Sequence, residues 1–104
     1  MPIQEIEEIV RHIVEEVYPV RIYLFGSFAN GAYRDESDLD FYIVVAEDGQ
    51  NLTDLTVRAY RAIRHVRKRA VDILIGTQAD FEARKSVPSI ENEVYNKGIL
   101  LYGE

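Results

Sequence analysis

The chain has 104 residues, 47% of them hydrophobic, with 12 basic against 18 acidic side chains and a net charge of −6. That length supports one core and one domain, 1–104, and the acidic balance argues against duplex DNA and anionic membranes, whose recognition needs clustered cations. No cysteine is present and only His12 and His65 could offer imidazole, so any metal is expected on oxygen ligands.

In chain order, Ile3, Ile6, Ile9, Val10, Ile13, Val14 and Val17 recur at helical spacing with glutamates between them, which predicts an amphipathic helix over 3–17 ending before Pro19. Residues 20–25 predict a strand with Val20, Ile22 and Leu24 on one face. Residues 39–45 and 71–75 alternate in the same way, so three strands share an apolar face while Arg21, Tyr23, Phe25, Asp38, Asp40, Tyr42, Asp72 and Leu74 belong to the other. Asp48-Gly49-Gln50-Asn51 reads as a turn, and Thr53 or Asp54 as the cap of a second helix running to about Arg69. Gln78 to Arg84 predicts a short helix, Ser89 caps another through Lys97, and Ile99 to Tyr102 reads as a final strand. The expected fold is α/β: a small mixed sheet with helices mainly on one face and a more open second face. No apolar run of about 18 residues and no secretory leader follow from this reading, which points to the cytoplasm.

Two features carry chemistry. Asp38 and Asp40, two residues apart on a strand, face the same way at roughly 6–7 Å along it. Two like charges so placed repel, and a divalent cation such as Mg²⁺, which prefers carboxylate oxygens and leaves positions for phosphate, is the economical resolution. Gly26-Ser27 follows a strand directly; a glycine there permits a tight turn, and the next backbone N–H groups open a short helix aimed at an anion. Better-known phosphate and metal motifs do not apply. Gly26 and Gly31 have P-loop spacing, but Ala32-Tyr33 replaces Lys-Ser/Thr; no GxGxxG occurs; and Tyr42 and Ile43 stand where a calcium loop needs a ligand and a glycine.

The run strand, Gly26-Ser27, Ser37-Asp38-Leu39-Asp40-Phe41 and Val71-Asp72-Ile73 resembles the minimal nucleotidyltransferases of the DNA polymerase β superfamily over most of the chain. The resemblance implies a mixed sheet flanked by helices. It implies that Asp38 and Asp40 bind two Mg²⁺ ions, that Asp72 binds one of them and helps activate an attacking hydroxyl, and that Gly26 and Ser27, with Ser37 and Arg34 beside them, hold the nucleotide triphosphate. One departure stands out: Asn30 replaces the arginine of the usual Gly-Ser-x-Ala-Arg-Gly run, leaving Arg34 as the nearby substitute. Domains of this size in the family commonly serve as the antitoxin of a pair with a helical HEPN-type ribonuclease. The resemblance therefore implies transfer of AMP from ATP to a tyrosine of that toxin.

Other readings stand beside this one. The chain could neutralise its partner as a catalytically silent binding module, or pass a nucleotide to an RNA 3′ end. Asp72 has a structural alternative, an ion pair with Arg21. Ser27 reads as a helix cap, Tyr23 and Tyr42 as base-stacking or packing groups, and His12 as structural. Arg58, Arg61, His65 and Lys68, at helical spacing with further cations to Arg69, read as a solvated stripe, an acidic-partner dock or an RNA contact.

Overall fold

Helix α1, Ile3–Val17, buries Ile6, Ile9, Ile13 and Val17, as its periodicity predicts. It stops where Tyr18 turns into the left-handed region at φ 52 and returns its N–H to the Val14 carbonyl, just before Pro19. In the computed structural model, which describes residues 1–46 and 51–104, the order continues as β1 (Arg21–Phe25), α2 (Ser27–Asn30), β2 (Leu39–Val45), α3 (Leu52–Ile63), β3 (Val71–Thr77), α4 (Gln78–Arg84), α5 (Ile90–Lys97) and β4 (Ile99–Tyr102). The strands form a mixed sheet in the order β3-β2-β1-β4. β1 runs antiparallel to β2 and β4, and β2 runs parallel to β3 through the α3 crossover. The expected mixed sheet is therefore observed.

The alternation along the strands decides what each face packs against. Ile22, Leu24, Leu39, Phe41, Ile43, Val45, Val71 and Ile73 join the apolar stripes of α1 and α3 in the main core. Each such fully buried aliphatic side chain contributes about 1.5–3 kcal/mol. The second face is not bare. Tyr23, Phe25, Tyr42 and Val44 form a smaller core there with Phe81 of α4 and Val94 of α5. Phe81 stacks on Tyr23 with centroids 5.4 Å apart and tilts onto Tyr42 at 5.5 Å, so both tyrosines are packing groups. Glu91 of α5 is buried in the same place, accepting from the Tyr42 hydroxyl at 2.8 Å and the Arg84 Nε at 2.9 Å. Those two hydrogen bonds hold its carboxyl below the usual range although burial works the other way, and burial together with Glu91 pushes the Tyr42 hydroxyl up.

Several expectations are corrected. Helix α3 is capped by Asn51, whose side chain accepts from the Asp54 N–H at 3.0 Å, and not by Thr53 or Asp54. It ends at Ile63, well short of Arg69, so the cations at 58–69 do not lie on one helix. Arg58 instead binds Glu16 of α1 through both the carboxylate at 3.1 Å and the carbonyl at 2.9 Å. Arg69 pairs with the buried Glu5. Of the turn read at 48–51, residues 48–50 lie outside the described residues and Asn51 is the α3 cap. His12 is tied to its own helix, with Nδ1 2.8 Å from the Glu8 carbonyl.

Phe81 tests the second core. Its replacement by alanine should cost about 3–5 kcal/mol, the range for deleting a buried aromatic, measured by urea unfolding. A loss below about 1 kcal/mol would show that α4 is not needed to close this face.

Candidate active site

The strand registers build the site. Phe25 pairs with Asp40 across β1 and β2, and Asp40 pairs with Asp72 across β2 and β3. Residues in register share a face, so Asp40 and Asp72 stand side by side on the face of the smaller core. Asp38 lies one residue before β2, and the Leu39 N–H that follows it is bound by the Ala70 carbonyl at 3.0 Å, just before β3 begins. Asp40 is half-buried, whereas Asp38 and Asp72 are exposed. The suggested Asp72–Arg21 ion pair is absent because β2 separates the two strands; Arg21 reaches Glu82 of α4 at 3.6 Å and the Glu104 carbonyl at 2.7 Å.

The electrostatics at Asp40 are those of a carboxylate with too many like neighbours. Burial pushes its pKa from 3.8 up to about 6, reinforced by the charge of Asp72, a shared side-chain hydrogen bond with Asp72, and the charges of Asp38 and Glu93. Glu93, on the exposed side of α5, had no signal in the sequence, since only the docking of α5 brings it toward β2. Among the described residues, no group of three or more histidine, cysteine, aspartate or glutamate side chains is already gathered closely enough to hold a metal ion. What the strands bring together is an open, all-oxygen donor set with surplus negative charge. That chemistry suits a hard divalent cation retaining sites for water and phosphate, and Asp38, Asp40 and Asp72 are the groups that would hold it.

The turn after β1 overhangs this cluster. Gly26 takes φ 74 at the N-cap of α2, and a Cβ added there would run into the Asp40 carboxylate. Only glycine satisfies both the left-handed backbone and the close approach. Ser27 is the first residue of α2 and not its cap. With only four residues in α2, the turn and the Ser27 hydroxyl provide whatever anion contacts exist there. Asn30 is used locally, its Oδ1 accepting the Ala32 N–H at 3.0 Å. Arg34 is exposed, and its backbone N–H donates to the Ser37 hydroxyl at 2.8 Å, so Ser37 shapes the loop leading into Asp38.

Sequence and structure comparisons agree with this architecture. The model of the nucleotidyltransferase domain family matches residues 3–101, and the chain belongs to that family. No curated protein matches the sequence. Among solved structures, similar folds include a protein from Sulfolobus solfataricus assigned as a nucleotidyltransferase, at 20% identity and TM-score 0.64 over 97% of this chain and 79% of that one. A toxin-antitoxin structure with AMP-PNP matches at 21% identity and TM-score 0.58, covering 100% of this chain and 75% of that one. Spectinomycin adenyltransferase AAD(9) from Enterococcus faecialis, solved with ATP and spectinomycin, matches at 18% identity and TM-score 0.64 over 98% of this chain and 55% of that one. At these identities the likeness shows the fold.

Two outcomes test the crowding. The folded-state pKa of Asp40 lies above its ordinary value, so its stabilising contribution is complete below about pH 4 and is lost as pH rises through about 6. Metal-free Asp40→Asn protein should therefore melt about 2–5 °C above the unsubstituted protein near pH 7.5, and the difference should shrink as pH falls and vanish below about pH 4 in thermal scans followed by circular dichroism. Equal melting points at both pH values would remove the like-charge account. Gly26→Ala should lower stability by about 1–3 kcal/mol in the same assay, through backbone strain and the displaced Asp40 carboxylate; a change under about 0.5 kcal/mol would contradict the close approach.

Proposed function

We propose that the chain is a Mg²⁺-dependent nucleotidyltransferase that moves AMP from ATP to a hydroxyl of a partner protein, acting as the antitoxin of a pair whose toxin is a HEPN-type ribonuclease. The observation that carries the reading is the Asp40 carboxylate, pressed beneath the Gly26 turn with Asp72 in register beside it and Asp38 close enough to raise its pKa. Membership in the nucleotidyltransferase domain family supports the reaction class. Folds shared with a toxin-antitoxin holding AMP-PNP and with an adenyltransferase holding ATP support the nucleotide and the partner class.

In this reading the backbone N–H groups after Gly26 and the Ser27 hydroxyl hold the triphosphate, with the exposed Arg34 as a further cation for it. Asp38, Asp40 and Asp72 would hold Mg²⁺, which when bound offsets the charge that develops on the phosphoryl oxygens and on the leaving pyrophosphate. Asp72, exposed at the rim, accepts the proton of the attacking hydroxyl. The acceptor oxygen forms a bond to the α-phosphorus as the bond from that phosphorus to pyrophosphate breaks, and AMP is left on the acceptor. The smaller core closes the second face behind the aspartates, so the acceptor approaches from the exposed side of Asp72 and Leu74. A tyrosine is the acceptor that the family resemblance favours.

Incubation of the protein with ATP, Mg²⁺ and a helical HEPN-type protein that binds it, followed by intact-mass measurement, should show the partner heavier by whole AMP units. Asp38→Ala combined with Asp40→Ala should slow that modification by about 10³-fold or more, because the two carboxylates hold the charge that stabilises the transition state by several kcal/mol. A partner that binds tightly yet gains no mass would establish the silent binding module instead. Modification at the normal rate by the double variant would remove the site assignment.

A further inference from the structure

We propose that the Glu5–Arg69 ion pair is a positioning device for the active site, locking the loop that delivers Asp38; the inference rests on the reading of Asp38 as a metal ligand. Glu5, in the first turn of α1, is buried at 7% exposure, a place where a carboxylate persists only if fully partnered. Its Oε1 accepts from the Arg69 Nε at 3.0 Å and its Oε2 from the Lys68 backbone N–H at 2.6 Å. The same guanidinium then reaches forward. Its Nη1 donates to the Asp35 carbonyl at 2.7 Å, and its centre lies 5.5 Å from the Phe28 ring of α2. Phe28 in turn stacks on Tyr33 at 4.7 Å, inside the loop that joins α2 to β2.

One guanidinium thus joins α1, α2 and that loop. The segment it belongs to holds the loop a second time, because the Ala70 carbonyl binds the Leu39 N–H at 3.0 Å. Around the first of those anchors the Arg34–Ser37 turn is closed by the Ser37 N–H to the Arg34 carbonyl at 3.0 Å and by the Arg34 N–H to the Ser37 hydroxyl at 2.8 Å. Asp38 falls between two fixed points, Asp35 and Leu39, both set from residues 69–70. A buried ion pair is a poor device for stability alone, since well-packed apolar groups of the same volume do as well. What the planar fork supplies is direction: it satisfies Glu5 and the Asp35 carbonyl at once, which the point charge of a lysine cannot. The distance in sequence between Glu5 and Asp38 hides this link until the chain is folded.

The test compares Arg69→Leu and the milder Arg69→Lys and Glu5→Gln with Arg58→Leu, which breaks a similar α1–α3 ion pair away from the loop. Two measurements are made on each protein shown folded by circular dichroism: amide exchange at Ser37 and Leu39, and Mn²⁺ affinity by electron paramagnetic resonance. The Arg69 and Glu5 variants should lose protection at Ser37 and Leu39 and weaken Mn²⁺ binding by roughly tenfold or more, the effect of removing a partner that orients a ligand, while Arg58→Leu changes neither. Unchanged exchange at those amides, or unchanged Mn²⁺ affinity in protein that does take up the ion, would overturn the positioning role. Unsubstituted protein that takes up no Mn²⁺ contradicts the metal reading and not the clamp, which then stands or falls on the exchange readout.

Discussion

Burial of the Asp40 carboxylate among like charges is the constraint around which the active-site end of the molecule is arranged. A sheet normally spaces its charges or pairs them with cations, yet here Asp72 stands in register beside Asp40, and Asp38 and Glu93 add their fields from the loop and from α5. Arg21, Arg84 and Arg69 are committed elsewhere, to Glu82, Glu91 and Glu5. The fold therefore carries an electrostatic cost that a bound cation would relieve, which is what the proposed function asks of the site.

The scaffold accounts for why the cost is tolerated. The two-layer core of α1 and α3 against the sheet secures the strands from one side, and Phe81 and Val94 secure them from the other, so the register that aligns Phe25, Asp40 and Asp72 does not slip to separate the charges. The parallel β2–β3 pair needs the α3 crossover, and the antiparallel β1–β2 pair brings the Gly26 turn over Asp40. Gly76 has an analogous duty in β3, since a side chain there would meet the Tyr42 hydroxyl that anchors Glu91.

What the sequence made legible was whatever has a period or a local cap. Ile6, Ile9, Ile13 and Val17 mark α1; alternation marks β1, β2 and β3; Ser89 marks the start of α5. The Asp38, Asp40 and Asp72 constellation was readable for the same reason, because period-2 alternation and a turn glycine are local signals. The end of α3 was not. No glycine or proline lies between Ile63 and Arg69, and the chain leaves the helix toward Glu5, which binds the Lys68 N–H and Arg69 from the far end of the chain. The cover over the second face was equally hidden, because α4 buries Phe81 and α5 buries Val94 as single apolar residues, too few to set a period. Strand order also escaped sequence, and with it the fact that Asp72 and Arg21 never meet.

The central claim is that the crowded carboxylates are a cation and nucleotide site. Anomalous diffraction from crystals soaked with Mn²⁺ and a non-hydrolysable ATP analogue tests it most directly. The account predicts manganese peaks about 2.0–2.3 Å from carboxylate oxygens of Asp38, Asp40 and Asp72, with phosphate oxygens against the Gly26-Ser27 turn. Metal and nucleotide bound elsewhere, with the Asp38, Asp40 and Asp72 carboxylates left without metal, would contradict it.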